Sequence, residues 1–90
     1  MDLYKFIGNK LRELRLKRQL SLEKVARVMG VTRMSMSRYE RGTSKVSLDQ
    51  LIQFCIFFGV DIKEFLPPSV RNLGLKKRGE KDEGRSDEIS

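Results

Sequence analysis

Apolar side chains recur every three or four positions through residues 1–66, with charged side chains between them. This spacing is typical of amphipathic helices that turn one face towards a core, and no convincing strand pattern accompanies it. The first such segment predicts a helix over about residues 3–18. Its apolar positions are Ile7, Leu11, Leu14 and Leu16.

Helix-capping residues divide the rest of this region into four further helices. Ser, Thr and Asp accept hydrogen bonds from the free N–H groups at the start of a helix, and glycine readily takes the left-handed conformation in which many helices end. We therefore predict helices that begin after Ser21, Thr32 and Ser47 and end before Gly30, Gly42 and Gly59, respectively. A last short helix, capped by Asp61, covers Ile62, Phe65 and Leu66. The pattern predicts an all-α domain of five short helices.

The fourth of these helices carries more apolar residues than a small bundle needs. Its core-facing stripe is predicted to consist of Leu48, Leu51, Phe54, Cys55 and Phe58. Ile52, Ile56 and Phe57 then remain outside this stripe, and exposed apolar side chains clustered on one face mark an interaction site. We expect a homodimer interface there, together with the short last helix, unless Val70 and Leu73 fold back over it.

Residues 21–42 contain two short helices joined by the turn Gly30-Val31-Thr32. This is the helix-turn-helix arrangement, whose second helix enters the major groove of DNA, although any corner between two helices has a similar shape. Three residue choices strengthen the interpretation: the small Ala26 suits a close helix crossing, the apolar Val31 fills the corner, and Met36 and Tyr39 point inwards. The residues left outside are Arg33, Met34, Ser37, Arg38 and Arg41.

Length and composition narrow the function further. The chain has 90 residues, a formal net charge of +7, no His and one Cys. It lacks the residues for a Cys/His zinc cluster, an imidazole base or an intramolecular disulfide, and it has no phosphate-binding glycine loop. We therefore expect no catalytic residues, no bound metal and no cofactor. Cys55 is interpreted as a small buried hydrophobe.

Location and domain limits follow from the distribution of apolar and charged residues. The start of the chain shows no positively charged leader, and no apolar run reaches the length of a membrane span, so we expect a cytoplasmic protein without membrane contact. Residues 1–70 hold 13 of the 19 basic residues and 7 of the 12 acidic ones. The excess positive charge therefore lies in a folded domain, predicted over residues 1–68. Residues 69–90 mix both charges with glycine and predict a flexible tail.

Several separate motifs resemble, in the same order, those of the phage-repressor and Cro type of helix-turn-helix regulators, also called the xenobiotic-response-element family. The resemblance covers about residues 6–66. It rests on Ile7-Gly8, Leu11-Arg12, Leu14-Arg15, Leu20-Ser21, Val25-Ala26, Gly30-Val31-Thr32, Ser37-Arg38-Tyr39-Glu40-Arg41-Gly42, Ser47-Leu48-Asp49 with Leu51, and Gly59-Val60 before Glu64-Phe65-Leu66. It implies a lambda-repressor-like domain that binds double-stranded operator DNA, usually as a homodimer on a palindromic or pseudopalindromic site.

The same resemblance implies roles for individual residues. Arg33 and Met34, and then Ser37 or Arg38 one turn later, match positions that read base edges. An arginine can bond to O6 and N7 of guanine together, whereas Met34 either contacts a thymine methyl group or packs locally. The residues expected to contact phosphate are Thr32, Arg41, Thr43, Ser44 and Lys45.

Two further positions are compared with the family. An arginine and a glutamate at Arg15 and Glu40 pair between the first and third helices in such proteins, so we expect a structural ion pair. Leu22 departs from the pattern, because the family often has a phosphate-contacting glutamine there, and we expect Leu22 to pack locally. The remaining basic residues are interpreted as solvated surface: Lys10, Arg12, Lys17, Arg18, Lys24 and Arg27.

Three functions fit these observations. The leading one is a sequence-specific transcriptional regulator that acts as a repressor. The second is the antitoxin of a toxin–antitoxin pair, which uses the same domain and adds a surface for a toxin partner. The third is a protein-interaction module that has lost DNA binding, for which Met34 and Leu22 are mild evidence.

Overall fold

The computed structural model describes residues 2–69, which form four α-helices and one 3-10 turn without any strand. The helices are α1 (Leu3–Lys17), α2 (Leu22–Met29), α3 (Arg33–Arg41) and α4 (Leu48–Phe58), and the 3-10 turn is Ile62–Phe65. The all-α prediction is therefore confirmed. None of the helices in the described part of the chain combines the length and the apolar character needed to cross a lipid bilayer. The predicted tail, apart from Ser69, lies outside the described residues, as do Val70 and Leu73.

Side-chain caps start the three central helices. Hydroxyl oxygens of Ser21, Thr32 and Ser47 accept hydrogen bonds from the backbone N–H three residues later, at 3.0 to 3.1 Å. Each of these helices ends at a glycine in the left-handed conformation, with φ between 67° and 75°. Because both ends are fixed by local chemistry, the bounds of α2, α3 and α4 agree closely with those predicted.

The fifth predicted helix is present as a short element of 3-10 rather than α geometry, Ile62–Phe65, and it ends one residue earlier than predicted. Asp61 does cap it, accepting a hydrogen bond from the Lys63 N–H at 2.9 Å. Leu66, however, is extended, with φ −108° and ψ 137°. The ring of Pro67 disfavours the α conformation in the residue before it, so the segment stops after four residues.

Every element contributes one fully buried large side chain to a single core. These are Leu11, Val25, Met36, Phe54 and Phe65. Burying such a side chain contributes roughly 1.5–3 kcal/mol each. The core therefore fixes the positions of all five elements relative to one another, including the exposed face of α3.

Two positions predicted to face the core are exposed. Leu48 is 66% exposed and Leu16 is 50% exposed. Leu16 lies two residues after the buried Leu14, and residues two apart point to nearly opposite sides of a helix. Leu48 lies four residues before Ile52 and eight before Ile56, so it shares their outward face.

Helix α1 crosses α3 at Gly8, where no side chain fits. A Cβ atom on Gly8 would lie 2.5 Å from the carbonyl oxygen of Glu40 and still closer to that of Tyr39. At the end of α3, a Cβ on Gly42 would lie 2.7 Å from the Cα of Lys5. The backbones of the two helices are therefore in direct contact over nearly one turn, from Lys5 to Gly8 on α1.

Arg18 and Lys10, predicted to be merely solvated, connect distant elements. The Arg18 guanidinium donates a hydrogen bond to the carbonyl of Phe58 and lies 5.3 Å from the centroid of its ring. Lys10 Nζ lies 3.5 Å from a carboxylate oxygen of Glu13 and 3.5 Å from one of Glu64. These contacts join the ends of α1 and α4 and attach the 3-10 turn to α1. Sequence spacing did not reveal the contacts of Arg18 with Phe58 and of Lys10 with Glu64, because these partners are distant in the chain.

Candidate nucleic-acid interface

The helix-turn-helix unit consists of α2, the turn at residues 30–32 and α3. Ala26 is buried on α2 and Met36 is fully buried on α3, while Val31 in the turn packs against the same core. The Val31 N–H donates a hydrogen bond to the Ala26 carbonyl at 3.0 Å and closes the end of α2. This packing turns the opposite side of α3 outwards.

The outward side of α3 carries the four residues predicted to read bases. Arg33, Met34 and Arg38 are exposed, and Ser37 is half-buried beside them. Met34 is 60% exposed, so its thioether lies largely in solvent. The Nε of Arg33 lies 3.7 Å from a carboxylate oxygen of Glu23 on α2. The helical period therefore brings two guanidinium groups and an apolar side chain onto one accessible surface.

The predicted phosphate-contacting residues lie at the two ends of α3. Arg41, Thr43 and Lys45 are exposed at its C-terminal end and in the following loop, where Ser44 is half-buried. Thr32 caps the other end, and its hydroxyl also donates to the Ser35 hydroxyl at 3.0 Å. The Thr32 hydroxyl is therefore occupied within the protein, whereas the cationic groups after α3 are accessible.

An ion pair beneath α3 joins it to α1. Arg15 donates hydrogen bonds from Nε and Nη2 to the two carboxylate oxygens of Glu40, at 2.6 and 3.0 Å, and from Nη1 to the Leu20 carbonyl at 3.0 Å. Their side chains are only 11% and 7% exposed. The hydrogen bond to Glu40 holds the pKa of Arg15 above its ordinary value. This bidentate pair fixes the rotation of α3 relative to the core.

Sequence reasoning missed part of this surface. Tyr4 on α1 lies under the loop after α3, with its ring centroid 5.9 Å from Lys45 Nζ. Lys5 and Arg12 line an open groove beside α3, together with Leu22, which is half-buried against the core. The helical period does place positions 5 and 12, two turns apart, on one face of α1. The sequence does not show which other element that face approaches.

The predicted dimer residues on α4 are not equally accessible. Ile52 is 44% exposed and Ile56 is 74% exposed. Phe57 is half-buried and packs edge-to-face against Phe58, with ring centroids 4.9 Å apart. Cys55 is also only half-buried, and burial raises the pKa of its thiol. The exposed apolar stripe of α4 therefore comprises Leu48, Ile52 and Ile56.

The chain is similar in sequence to known regulatory proteins. Over 69 residues the chain is 35% identical to the cryptic phage CTXphi transcriptional repressor RstR of Vibrio cholerae, covering 77% of this chain and 62% of RstR. Over 54 residues it is 41% identical to the antitoxin PezA of Streptococcus pneumoniae, covering 60% of this chain and 34% of PezA.

A solved structure agrees in fold. The restriction-modification controller protein C.AhdI of Aeromonas hydrophila has a TM-score of 0.64 and 35% sequence identity, covering 72% of this chain and 97% of that one. The model of the helix-turn-helix family HTH_3 matches residues 11–65, more than half of the sequence. Together with the turn that packs Val31 against the core and the outward face of α3, these matches show that the chain belongs to the helix-turn-helix family HTH_3.

Proposed function

We propose that this protein is a sequence-specific transcriptional regulator that inserts α3 into the major groove of double-stranded DNA and acts as a repressor. The observation that carries this proposal is the outward face of α3, which presents Arg33, Met34 and Arg38 on a helix fixed at both ends. An α-helix fits the major groove, where each base pair presents a distinct pattern of donors and acceptors. RstR, which the chain resembles, is a transcriptional repressor.

Base recognition is assigned to residues 33–38 of α3. Arg33 and Arg38 have the chemistry to contact guanine O6 and N7 together, and each such contact contributes roughly 1–3 kcal/mol of discrimination. Met34, being largely exposed, is suited to apolar contact with a thymine methyl group. Ser37 lies between them, and its hydroxyl can donate to an acceptor or accept from a donor on a base edge in the major groove.

Affinity for the DNA backbone is assigned to the residues at the ends of α3. Arg41 and Lys45 form no ion pair within the described residues, so their charges are available to phosphates. Ser44 adds a hydroxyl group in the same loop. The hydroxyl groups of Thr43 and Thr32 donate to the Arg38 carbonyl and the Ser35 hydroxyl, so each would exchange that partner for a phosphate. Such contacts fix the register of the protein and carry no sequence information directly.

Dimerisation is assigned to α4. The stripe of Leu48, Ile52 and Ile56 is exposed and continuous, and such a surface on a small domain marks an interaction site. Two domains joined there would read two half-sites about one helical turn apart, and linkage raises affinity through effective concentration. We propose a homodimer on a palindromic or pseudopalindromic site.

A second candidate is the antitoxin of a toxin–antitoxin pair, favoured by the similarity to the antitoxin PezA. In that case the same apolar stripe on α4, or residues beyond 69, would bind a toxin partner. Co-expression with the neighbouring reading frame, followed by co-purification, distinguishes the two candidates: a stable stoichiometric complex supports the antitoxin.

Selection of preferred duplexes from a random pool tests the main proposal. We expect recovered sequences to share a symmetric motif whose half-sites contain guanine, because both base-reading arginines favour it. A pool that stays random after repeated rounds would show that the protein does not read DNA sequence.

Substitution Arg38→Ala should weaken binding to the selected duplex by roughly 5- to 150-fold, the equivalent of about 1–3 kcal/mol, because one bidentate guanine contact is lost. Its melting temperature should stay near that of the parent, since Arg38 is exposed. Fluorescence anisotropy titrations measure the affinity. Lys17→Ala, which removes an exposed cation that lines neither groove beside α3, is the control and should bind like the parent.

A further inference from the structure

A groove beside α3 brings cationic residues of α1 next to the proposed DNA-binding surface. One wall consists of Lys5, Asn9 and Arg12 on α1, and the other of residues from the C-terminal half of α3 and the loop after it. Arg15 and Glu40 lie at its base. The groove contains Ser37, Arg41 and Thr43 from the proposed DNA contacts and therefore extends that surface onto a helix outside the helix-turn-helix unit.

The groove is electropositive. Arg15 and Glu40 neutralise each other near its base, where both side chains are almost completely buried. Lys5, Arg12 and Arg41 make no ion pair within residues 2–69. Three unpaired cations on facing walls form a concave site that favours a polyanion, since their fields add and no carboxylate offsets them.

The α1 wall is held firmly against the end of α3. Lys5, Asn9 and Arg12 stand at i, i+4 and i+7, so they form one row along the helix. The backbone of Lys5 touches that of Gly42, where a Cβ would lie 2.7 Å from the Lys5 Cα. Because no side chain separates the helices there, the row runs directly beside the loop assigned to phosphate contact.

We propose that Lys5 and Arg12 bind phosphates of the same DNA strand that passes Arg41, so that α1 extends the contact with the backbone by two cations. This inference rests on the proposed function, because it requires α3 to lie in the major groove. Arg12, interpreted from the sequence as solvated surface, thereby becomes part of the DNA interface. Asn9 between them offers an amide N–H to the same phosphates.

Salt dependence gives a direct measure of these contacts. Each phosphate neutralised by Lys or Arg releases counterions, and the slope of log K against log salt concentration changes by about 0.9 per contact. The double variant Lys5→Ala/Arg12→Ala of the full chain should therefore have a slope shallower by up to about 1.8 than the parent on the selected duplex. Its affinity should fall by a similar factor on any sequence, because phosphate contacts are not specific.

Two further variants test whether the position of the charges, rather than their number, determines the salt-dependence slope. Lys17→Ala/Lys63→Ala removes two exposed cations that do not line the groove and should keep the parental slope. Lys5→Arg/Arg12→Lys keeps both charges in place and should also keep it. Thermal melting compares the folded states of all variants.

The outcomes separate this inference from the proposed function. A groove variant whose slope equals that of the parent, or of the Lys17/Lys63 control, overturns the role of α1 while leaving α3 as the reading helix. Absence of duplex binding by the parent itself overturns both proposals. A slope reduced only in the groove variant, and restored by the charge-preserving one, supports the inference.

Discussion

Glu40 is the only charged residue buried in the part of the chain that the structure describes. Arg15 neutralises its charge and donates two hydrogen bonds to its carboxylate. Exposed ion pairs contribute little, as expected for Arg33 and Glu23, whose side chains are each about two-thirds exposed. A buried pair behaves differently, because removal of one partner strands the other charge away from water. The loss of one partner should therefore lower the stability of the protein far more at the Arg15–Glu40 ion pair than at the Arg33–Glu23 ion pair.

Substitution Glu40→Ala should lower the free energy of unfolding by about 3–5 kcal/mol, since the Arg15 guanidinium is left buried without its carboxylate. Urea titration monitored by circular dichroism measures the change. Glu23→Ala is the matched control and should change stability by no more than about 1 kcal/mol. Equal losses in the two variants would contradict the burial of the Arg15–Glu40 pair.

Sequence reasoning at this scale succeeded where chemistry is local or a family pattern is available. The outward positions of Arg33, Met34 and Arg38 follow from the helical period alone. The Arg15–Glu40 pairing joins residues 25 positions apart, and it was expected only because the motifs resemble a known family. The contact of Arg18 with Phe58 had neither source of information, so it was missed.

At the scale of the elements, the angle and distance between α1 and α3 decide where the reading helix lies. Gly8 allows this contact, because the carbonyl oxygens of Tyr39 and Glu40 occupy the space that a Cβ would need. The caps of α2 and α3 fix their lengths, but they do not determine how closely the helices approach. Close packing at Gly8 determines how closely α1 and α3 approach each other.

Substitution Gly8→Ala should destabilise the protein by about 1–3 kcal/mol or more, although alanine is the better helix former, because overpacking forces α1 and α3 apart. The displacement of α3 should also weaken DNA binding. Differential scanning calorimetry and anisotropy measure the two effects. Asn9→Ala, the exposed neighbour on α1, should leave stability unchanged or slightly increased, and a Gly8 variant as stable as this control would disprove the close crossing.

Element boundaries were predictable to the extent that their determinants are local. Serine and threonine caps and terminal glycines fixed α2, α3 and α4 from the sequence. The last short helix, Ile62–Phe65, ends before Leu66, which the sequence had placed in it, because Pro67 disfavours the α conformation at Leu66. The core role assigned to Leu48 was also wrong, since the face that α4 buries depends on how it packs against the other elements.

At the scale of the whole molecule, the exposed stripe on α4 determines how two copies would associate. Substitution Ile56→Asp should abolish the proposed dimer, because a carboxylate placed in an apolar interface loses its hydration without gaining a partner. The variant should still fold, since Ile56 is 74% exposed in a single copy, but its melting temperature should no longer rise with protein concentration. Sedimentation equilibrium without DNA, at tens of micromolar protein, measures the association state.

Val28→Asp is the control for this experiment, because Val28 is an exposed apolar residue on α2 rather than on α4. It should sediment as the parent does. If the parent itself is monomeric under these conditions, the α4 dimer is refuted. A dimer that survives Ile56→Asp would place the interface elsewhere on the surface.

The bond between Arg18 and the last carbonyl of α4 has a consequence for operator architecture. Arg18 ends α1, the helix against which α3 packs, so this bond joins the end of α4 to the pair formed by α1 and α3. A dimer built on α4 would therefore hold its two α3 helices at a fixed spacing and mutual rotation. One inserted base pair turns a half-site by about a tenth of a revolution. Such a rigid dimer would bind poorly to operators whose centre is longer or shorter by a single base pair.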